Sequence, residues 1–450
     1  MTNKSASASL TFRTIFVFWL PLALSWLLMS TEMPTVTAFI ARMPQAKLQL
    51  AAFGVATSLA LAIESPIVSL LTASNAVACD RDSFRLMYCF MIALNVLVTL
   101  AMLGVSLTPL FDLIVVRLMG TPPEIARLVR PVLLVMTTWP PAIGYRRFLQ
   151  GIMVRRGYTR QMTYGTAIRL GVALLVAALG LWSGRLDGAT AGGLALAFST
   201  LSEAMAVHFW SRRAVRQVKA VERAQDAPPL SLADLLRFYG PLTLTSFINL
   251  STTPLLNLGM TRALHPVESL AVWPVINGQL FVTRSFGYSL QEVVVALLNR
   301  PEGMKKLRQF AIGIGTWSLL LMGIVVLTPV GSWWQREVAG LNQELAGFAL
   351  GALRLTALLP LLATIQSWFR GLVVFGRRTG AIAQATAINL IVLAGVLLVG
   401  VQMGTVVGAS LSAVALTVSQ GIESLWLWRN ARLTQRKLNA AQIHVPASPG

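Results

Sequence analysis

Eight ionisable residues stand inside stretches that are otherwise almost wholly apolar: Glu32, Glu64, Arg169, Glu203, Arg284, Glu292, Arg354 and Glu423. A charge held at the centre of a bilayer costs about 2.5–3.5 kcal/mol on insertion scales, so a retained one points to a binding site, a gate or a coupling path. Glu64 and Arg284 fall about fourteen and eighteen residues into their stretches, near mid-depth at ~1.5 Å of rise per residue. A carboxylate there can carry a proton, and a guanidinium can hold an anion. Two readings stand for this couple: a substrate or coupling-ion site at the midplane, or a salt bridge that stabilises one state of a cycle. Arg169, Arg354 and Glu32 join them as candidates, although a long side chain such as Arg354 can snorkel to the interface. Glu203 and Glu423 lie just before clusters of arginine and read as gating or structural partners of basic loops. Pro34 and Pro254 free a backbone carbonyl inside a span and bend it. Each is a candidate hinge or a static kink.

The elements that must position these residues follow from composition. The chain is 55% hydrophobic and 12% charged, where a soluble domain carries about 25% charged residues. Its mean hydropathy is +0.67. A span needs about 20 mostly apolar residues to cross roughly 30 Å of hydrocarbon. That rule predicts twelve helices near 13–40, 48–78, 84–107, 125–148, 160–183, 188–211, 234–262, 266–298, 307–330, 344–370, 379–400 and 404–428. The fold class is therefore all-α and integral to the membrane. The polar start of the chain, with no small-residue cleavage site after the first apolar run, reads as a retained first span.

The net charge of +20 does not imply nucleic acid, because the basic residues sit in short clusters between apolar stretches. Lys and Arg favour cytoplasmic loops. With the N-terminus inside, the clusters Arg146-Arg147, Arg155-Arg156, Arg212-Arg213, Lys305-Lys306 and Arg377-Arg378 all fall on the inner side. Both termini are accordingly expected in the cytoplasm, with the protein in a plasma membrane of the bacterial inner-membrane type. Cys79 and Cys89 alone give no disulfide framework or metal spacing. His208, His265 and His444 are scattered, and no H-E-x-x-H, G-x-S-x-G or phosphate-binding loop occurs. An enzyme is not expected, nor is a bound cofactor; transport would run on a proton or sodium gradient.

The chain also repeats itself at an offset of 220 residues. Phe18 and Pro21-Leu22 recur as Phe238 and Pro241-Leu242, Pro34 as Pro254, Thr108-Pro109 as Thr328-Pro329, and Pro140 as Pro360. Gly151 recurs as Gly371, Thr166-Ala167-Ile168 as Thr386-Ala387-Ile388, Ser199 as Ser419 and Glu203 as Glu423; Glu64-Ser65 matches Arg284-Ser285 and Arg169 matches Asn389. Matches rich in Pro, Gly and Glu at one fixed offset are the signature of duplication. Six spans per repeat put both halves in the same orientation, related by an axis along the membrane normal. The expected division is a six-helix bundle over 1–212, a linker over 213–233 containing Pro228-Pro229, a second bundle over 234–430 and a tail over 431–450. Rocking one bundle against the other gives alternating access.

With Phe18-Trp19-x-Pro21-Leu22-Ala23 in the first span, Pro254-x-x-Asn257-Leu258-x-x-Thr261-Arg262 in the seventh, Leu353-Arg354 followed by Pro360 and Gly371 in the tenth, and Glu423-Ser424 in the twelfth, the chain resembles the multidrug/oligosaccharidyl-lipid/polysaccharide flippase superfamily. Within it the sequence is most similar to the progressive ankylosis family. The resemblance implies export of a small anion such as pyrophosphate, citrate or nucleotide, and makes Asn257, Arg262, Arg354 and Glu423 site candidates. Other expectations stand beside it. One is a flippase for lipid-linked oligosaccharide, another a cation-coupled multidrug exporter, and a third, of another class, a membrane scaffold or receptor. Partners would be a small-molecule or lipid-linked substrate and membrane lipids; the oligomeric state is open.

Overall fold

The computed structural model describes residues 10–158, 160–222, 230–376, 378 and 380–443, with side chains described as far as Leu433. Arg223 and Pro228-Pro229 of the expected linker, Arg377, and His444 in the expected tail lie outside the described residues. The described chain forms twelve helical rods. They are α1 (Phe12–Ser30 and Glu32–Ala41), α2 (Ala46–Val68 and Leu70–Val77), α3 (Arg81–Leu107), α4 (Pro123–Val135 and Trp139–Arg155), α5 (Arg160–Ser183) and α6 (Gly188–Lys219). The second half gives α7 (Leu232–Leu250 and Thr252–Thr261), α8 (Pro266–Tyr288 and Leu290–Leu297), α9 (Gly303–Leu327), α10 (Gln343–Leu355 and Leu359–Phe375), α11 (Gly380–Met403) and α12 (Gly408–Ile443). Among the described residues, seven rods are individually long and apolar enough to cross a bilayer, and the α10 pair, bent by 40°, makes an eighth.

Duplication is written into the element boundaries. The breaks at Thr31 and Ser251, and at Ser69 and Ser289, are each 220 residues apart, as are both segments of α4 and α10. Left-handed residues recur in the same register: Gln45 and His265, Gly120 and Gly340, Gly184 and Gly404. The two glycine pairs close tight turns where a side chain would strain the backbone, and Gln45 and His265 take the same left-handed conformation just before a helix start. Breaks at Thr31 and Ser251 fall three residues before Pro34 and Pro254. A proline ring cannot accommodate the carbonyl of an uninterrupted preceding turn, so each proline sits in the first turn of a fresh helical segment.

Bundle one packs α1 to α6 and bundle two packs α7 to α12, with α2 against α8 along the seam. The outer rods α3, α5, α9 and α11 leave most of their apolar surface outside the protein, whereas α2 and α6 are largely buried. That distribution is expected when lipid, not water, covers the outside. Two expected boundaries move. Helix α6 runs on to Lys219 and α12 to Ile443, through stretches assigned to linker and tail, because a helix does not have to stop where its hydrophobicity does.

Candidate substrate cavity

For description, the face carrying the start of α1 is called proximal and the opposite face distal. On the proximal side, walled almost wholly by bundle one and reaching bundle two at Glu292, lies a cavity of about 620 Å³. Bundle one supplies a basic wall, with Arg146 and Arg147 from α4 and Arg160 and Arg169 from α5; Trp26 of α1 and Glu292 of α8 also line it.

Local structure explains that wall. A short 3₁₀ turn at Met136–Thr138 ends the first segment of α4 and lets Trp139–Arg155 start afresh. Arg146 and Gln150 are four residues apart and so share a face. Both reach Glu203 on α6: Arg146 forms an ion pair with Oε2, and Gln150 Nε2 donates to Oε1 at 3.3 Å. Arg169 bridges two carboxylates, with Nη1 3.6 Å from Glu203 and Nη2 3.0 Å from Glu32. Ser199 Oγ donates to the other Glu32 oxygen at 3.1 Å. A buried ion is tolerated when paired and hydrogen-bonded; these six groups pair with one another, and of their side-chain polar atoms Arg146 Nε alone is left buried without a partner.

Arg147 is different. One residue on from Arg146, it is turned about 100° round the helix. Its Nε is buried with no partner, and no hydrogen bond or ion pair to Arg147 occurs among the described residues. Glu64 is nearby: it is 4% exposed, has an unpartnered Oε2, and lies in the field of Arg147, Arg146 and Arg169.

Bundle two contains the repeat's version of this centre. Glu423 of α12 is ion-paired with Arg370 and accepts from Asn389 Nδ2 at 3.0 Å. Gln366 Nε2 approaches it at 3.5 Å and donates to the Gln420 carbonyl at 3.0 Å. Arginine and glutamine have exchanged places between the copies: Arg146 and Gln150 correspond to Gln366 and Arg370. One carboxylate, one arginine and one amide survive the exchange.

Several expected placements are corrected. Glu64 and Arg284 do not pair; Glu64 faces the arginines of its own bundle, while Arg284 donates to Gln420 Oε1 at 2.8 Å and lies over the Tyr288 ring. Arg284 and Arg354 are absent from the cavity wall. Arg354 is exposed, its Nε reaching the Val326 carbonyl at 3.3 Å, which fits snorkelling and not substrate attraction. Asn257 is buried in the seam, donating to Ser58 Oγ at 2.7 Å. Glu203 pairs with residues inside spans and not with loops. Arg146 and Arg147, taken from sequence as loop residues, are seven and eight residues into the second segment of α4. Their signal was a run of two arginines and one glutamine inside a continuing helical pattern.

The distal half of the seam is closed. Arg42, at the end of α1, donates through Nη2 to the carbonyls of Glu337 (2.5 Å) and Val338 (3.1 Å) in bundle two. Arg262, at the end of α7, donates to the Leu118 carbonyl in bundle one at 2.8 Å, and Thr261 bonds to the Met119 carbonyl. Lys47 adds ion pairs to Glu268 at 2.6 Å and Glu344 at 3.3 Å. Nearer the proximal end, Trp19 Nε1 donates to the Phe286 carbonyl at 3.3 Å and Tyr239 OH to the Pro66 carbonyl at 2.5 Å.

The fold of two facing six-helix bundles is similar to that of MATE transporters of the MOP superfamily. A family model described as MatE matches residues 21–179. The structure is similar to the inward-facing conformation of a multidrug resistance MATE family transporter of the MOP superfamily, at 14% identity and a TM-score of 0.71, covering 92% of this chain and 99% of that one. The outward-facing conformation of such a transporter gives 14% identity and a TM-score of 0.62, covering 95% and 96%. A MOP superfamily transporter from Pyrococcus furiosus, described by the reverse polarity of its binding pocket, gives 15% identity and 0.61 over 95% and 99%. No curated protein matches the chain.

Proposed function

We propose that this chain is a secondary transporter that exports a small anionic solute by alternating access. The observation that carries the reading is Arg147, a half-buried arginine whose Nε is buried without a partner, on a cavity wall that holds three further arginines. An ion so placed is costly unless something neutralises it, and a phosphate or carboxylate entering from the proximal face would do so with bidentate geometry. The greater likeness to the inward-facing structure and the distal closure support a cavity open to the proximal side.

In this reading the proximal face is cytoplasmic, as the charge bias predicts, and residues 1–212 and 234–430 move as the two rocking units. The Glu32–Arg169–Glu203 chain is the coupling element: a proton or sodium ion taken up by a carboxylate would release Arg169 or Arg146 toward substrate. The likeness to the progressive ankylosis family favours pyrophosphate, citrate or nucleotide as cargo. A second reading, a flippase for a lipid-linked phosphate, is favoured by an apolar groove of about 540 Å³ between α3 and α7, lined by Pro66, Phe90, Leu97, Tyr239 and Phe247 beside the seam.

The test is efflux of labelled pyrophosphate, citrate and nucleotide from loaded proteoliposomes, with and without a proton gradient. Saturable, gradient-dependent efflux lost in Arg147→Gln supports the proposal. Absence of efflux for all three, together with movement of a fluorescent lipid phosphate between leaflets, would replace it with the flippase.

A further inference from the structure

We propose that an anionic glycerophospholipid occupies a groove on the lipid-facing surface of bundle two, its phosphate held by Arg308 and Arg432. The groove lies between α9, α10 and α12, has a volume of about 440 Å³, and carries no acidic residue in its lining. Its walls are apolar and aromatic: Ile312, Leu361, Trp368 and Trp428. Ile312 is 59% exposed and Trp428 39%, so the groove opens outward toward lipid, away from the seam and the substrate cavity.

Depth fixes which part of a lipid meets the arginines. Arg432 is 24 residues beyond Gly408, the first residue of α12, a rise of about 36 Å, past the roughly 30 Å of hydrocarbon. Arg308 lies in the second turn of α9, counted from the same face. Both guanidiniums therefore stand at headgroup level while the apolar wall runs back into the acyl region. Arg432 lies 3.8 Å over the Trp428 ring, which holds it at the mouth. No carboxylate pairs with Arg308 or Arg432 among the described residues, so their charge is free for a phosphate.

Recurrence in the other bundle is an independent observation. The equivalent surface of bundle one has a cavity of about 220 Å³ lined by Tyr88, Phe148, Arg212 and Lys219. Arg212 and Arg432 are repeat equivalents, each stacked on an aromatic ring of its own helix, and Phe148 answers to Trp368. The partner cation differs, Arg308 in one copy and Lys219 in the other. Two arginines give the bidentate fork that phosphate prefers, which makes the bundle-two groove the tighter seat. A zwitterionic lipid presents its own cation beside the phosphate and gains less from the pair.

Native mass spectrometry of the delipidated full chain, supplemented with phosphatidylglycerol or phosphatidylcholine, tests this. The proposal expects at least one phosphatidylglycerol to survive collision energies that strip phosphatidylcholine, and the difference to vanish in Arg308→Gln/Arg432→Gln. Equal retention of the two lipids by the unaltered chain, or undiminished selectivity in the double variant, overturns it. If the double variant does not fold, brominated phosphatidylglycerol is added to the unaltered chain and to Trp428→Phe. Stronger quenching than by brominated phosphatidylcholine, reduced in Trp428→Phe, supports the seat; equal quenching by both lipids removes it.

Discussion

Gly54 and Pro274 are 220 residues apart and touch: a Cβ built on Gly54 would stand 2.5 Å from Pro274 Cγ. Equivalent residues of a two-fold repeat meet only on the symmetry axis, as in any isologous contact. The axis of the duplicated bundles therefore passes between α2 and α8 at this point, and the seam's bonds come in related pairs around it. Trp19 to Phe286 answers to Tyr239 to Pro66, and Arg42 to Val338 answers to Arg262 to Leu118.

Close approach at the axis depends on the missing side chain. Gly54→Leu should cost about 1–3 kcal/mol, the usual penalty for overpacking, and lower the melting temperature of the purified protein in detergent. Thermal unfolding followed by tryptophan fluorescence measures it; an unchanged midpoint would mean that α2 and α8 separate easily here.

Arg147→Gln should leave membrane insertion unchanged and weaken anion binding. A lost charge-assisted hydrogen bond is worth about 1.5–3 kcal/mol, which is roughly 10- to 100-fold in affinity. Arg147→Lys should recover part of it, since the charge returns without the fork. Substrate concentration dependence of efflux reads the change, whereas Arg354→Gln should move it little.

Glu203→Gln removes the carboxylate that Arg146 and Arg169 share, leaving buried positive charge. Breaking a buried pair costs about 3–5 kcal/mol, so abundance and thermal stability should both fall. Glu203→Gln/Arg146→Gln should be more stable than Glu203→Gln alone, because the uncompensated ion is gone. A double-mutant cycle of unfolding midpoints isolates that coupling; additive effects would show that the pair is not energetically joined.

Arg42→Ala/Arg262→Ala should shift the protein toward the distally open state. Each exposed arginine-to-carbonyl bond contributes about 0.5–1.5 kcal/mol, so losing two changes the ratio of states by roughly tenfold. Spin labels placed on the distal ends of α1 and α7 would report longer separations; an unaltered distance distribution would remove the arginines from the closure.

Hydropathy and the 220-residue repeat made the twelve rods and their pairing legible, since both reflect burial of apolar length in lipid. Less legible was which faces meet. Glu64 and Arg284 occupy equivalent positions, and equivalence alone suggested that they face one another. They lie ten residues beyond Gly54 and Pro274, about 1000° of helical rotation at ~100° per residue, which is some 80° short of three full turns. A pair that far round from the axial contact points elsewhere, and Glu64 turns into its own bundle. Arg146 and Arg147 were hidden for another reason: charge density marks a loop in a hydropathy reading, and only packing distinguishes a loop arginine from one aimed into a cavity. The breaks at Thr31 and Ser251 were anticipated by Pro34 and Pro254, because proline acts on the preceding turn whatever surrounds it.

The distal closure draws on acceptors that belong to the main chain. Glu337, Val338 and Leu118 contribute their carbonyls at the ends of π-helical turns, Asp112–Leu118 and Trp334–Val338. Side chains at those three positions can therefore drift freely through evolution while the lock survives, provided the turns keep their path and Arg42 and Arg262 stay. A search for coupled substitutions across this contact would return nothing, although it is among the most specific meetings of the two halves.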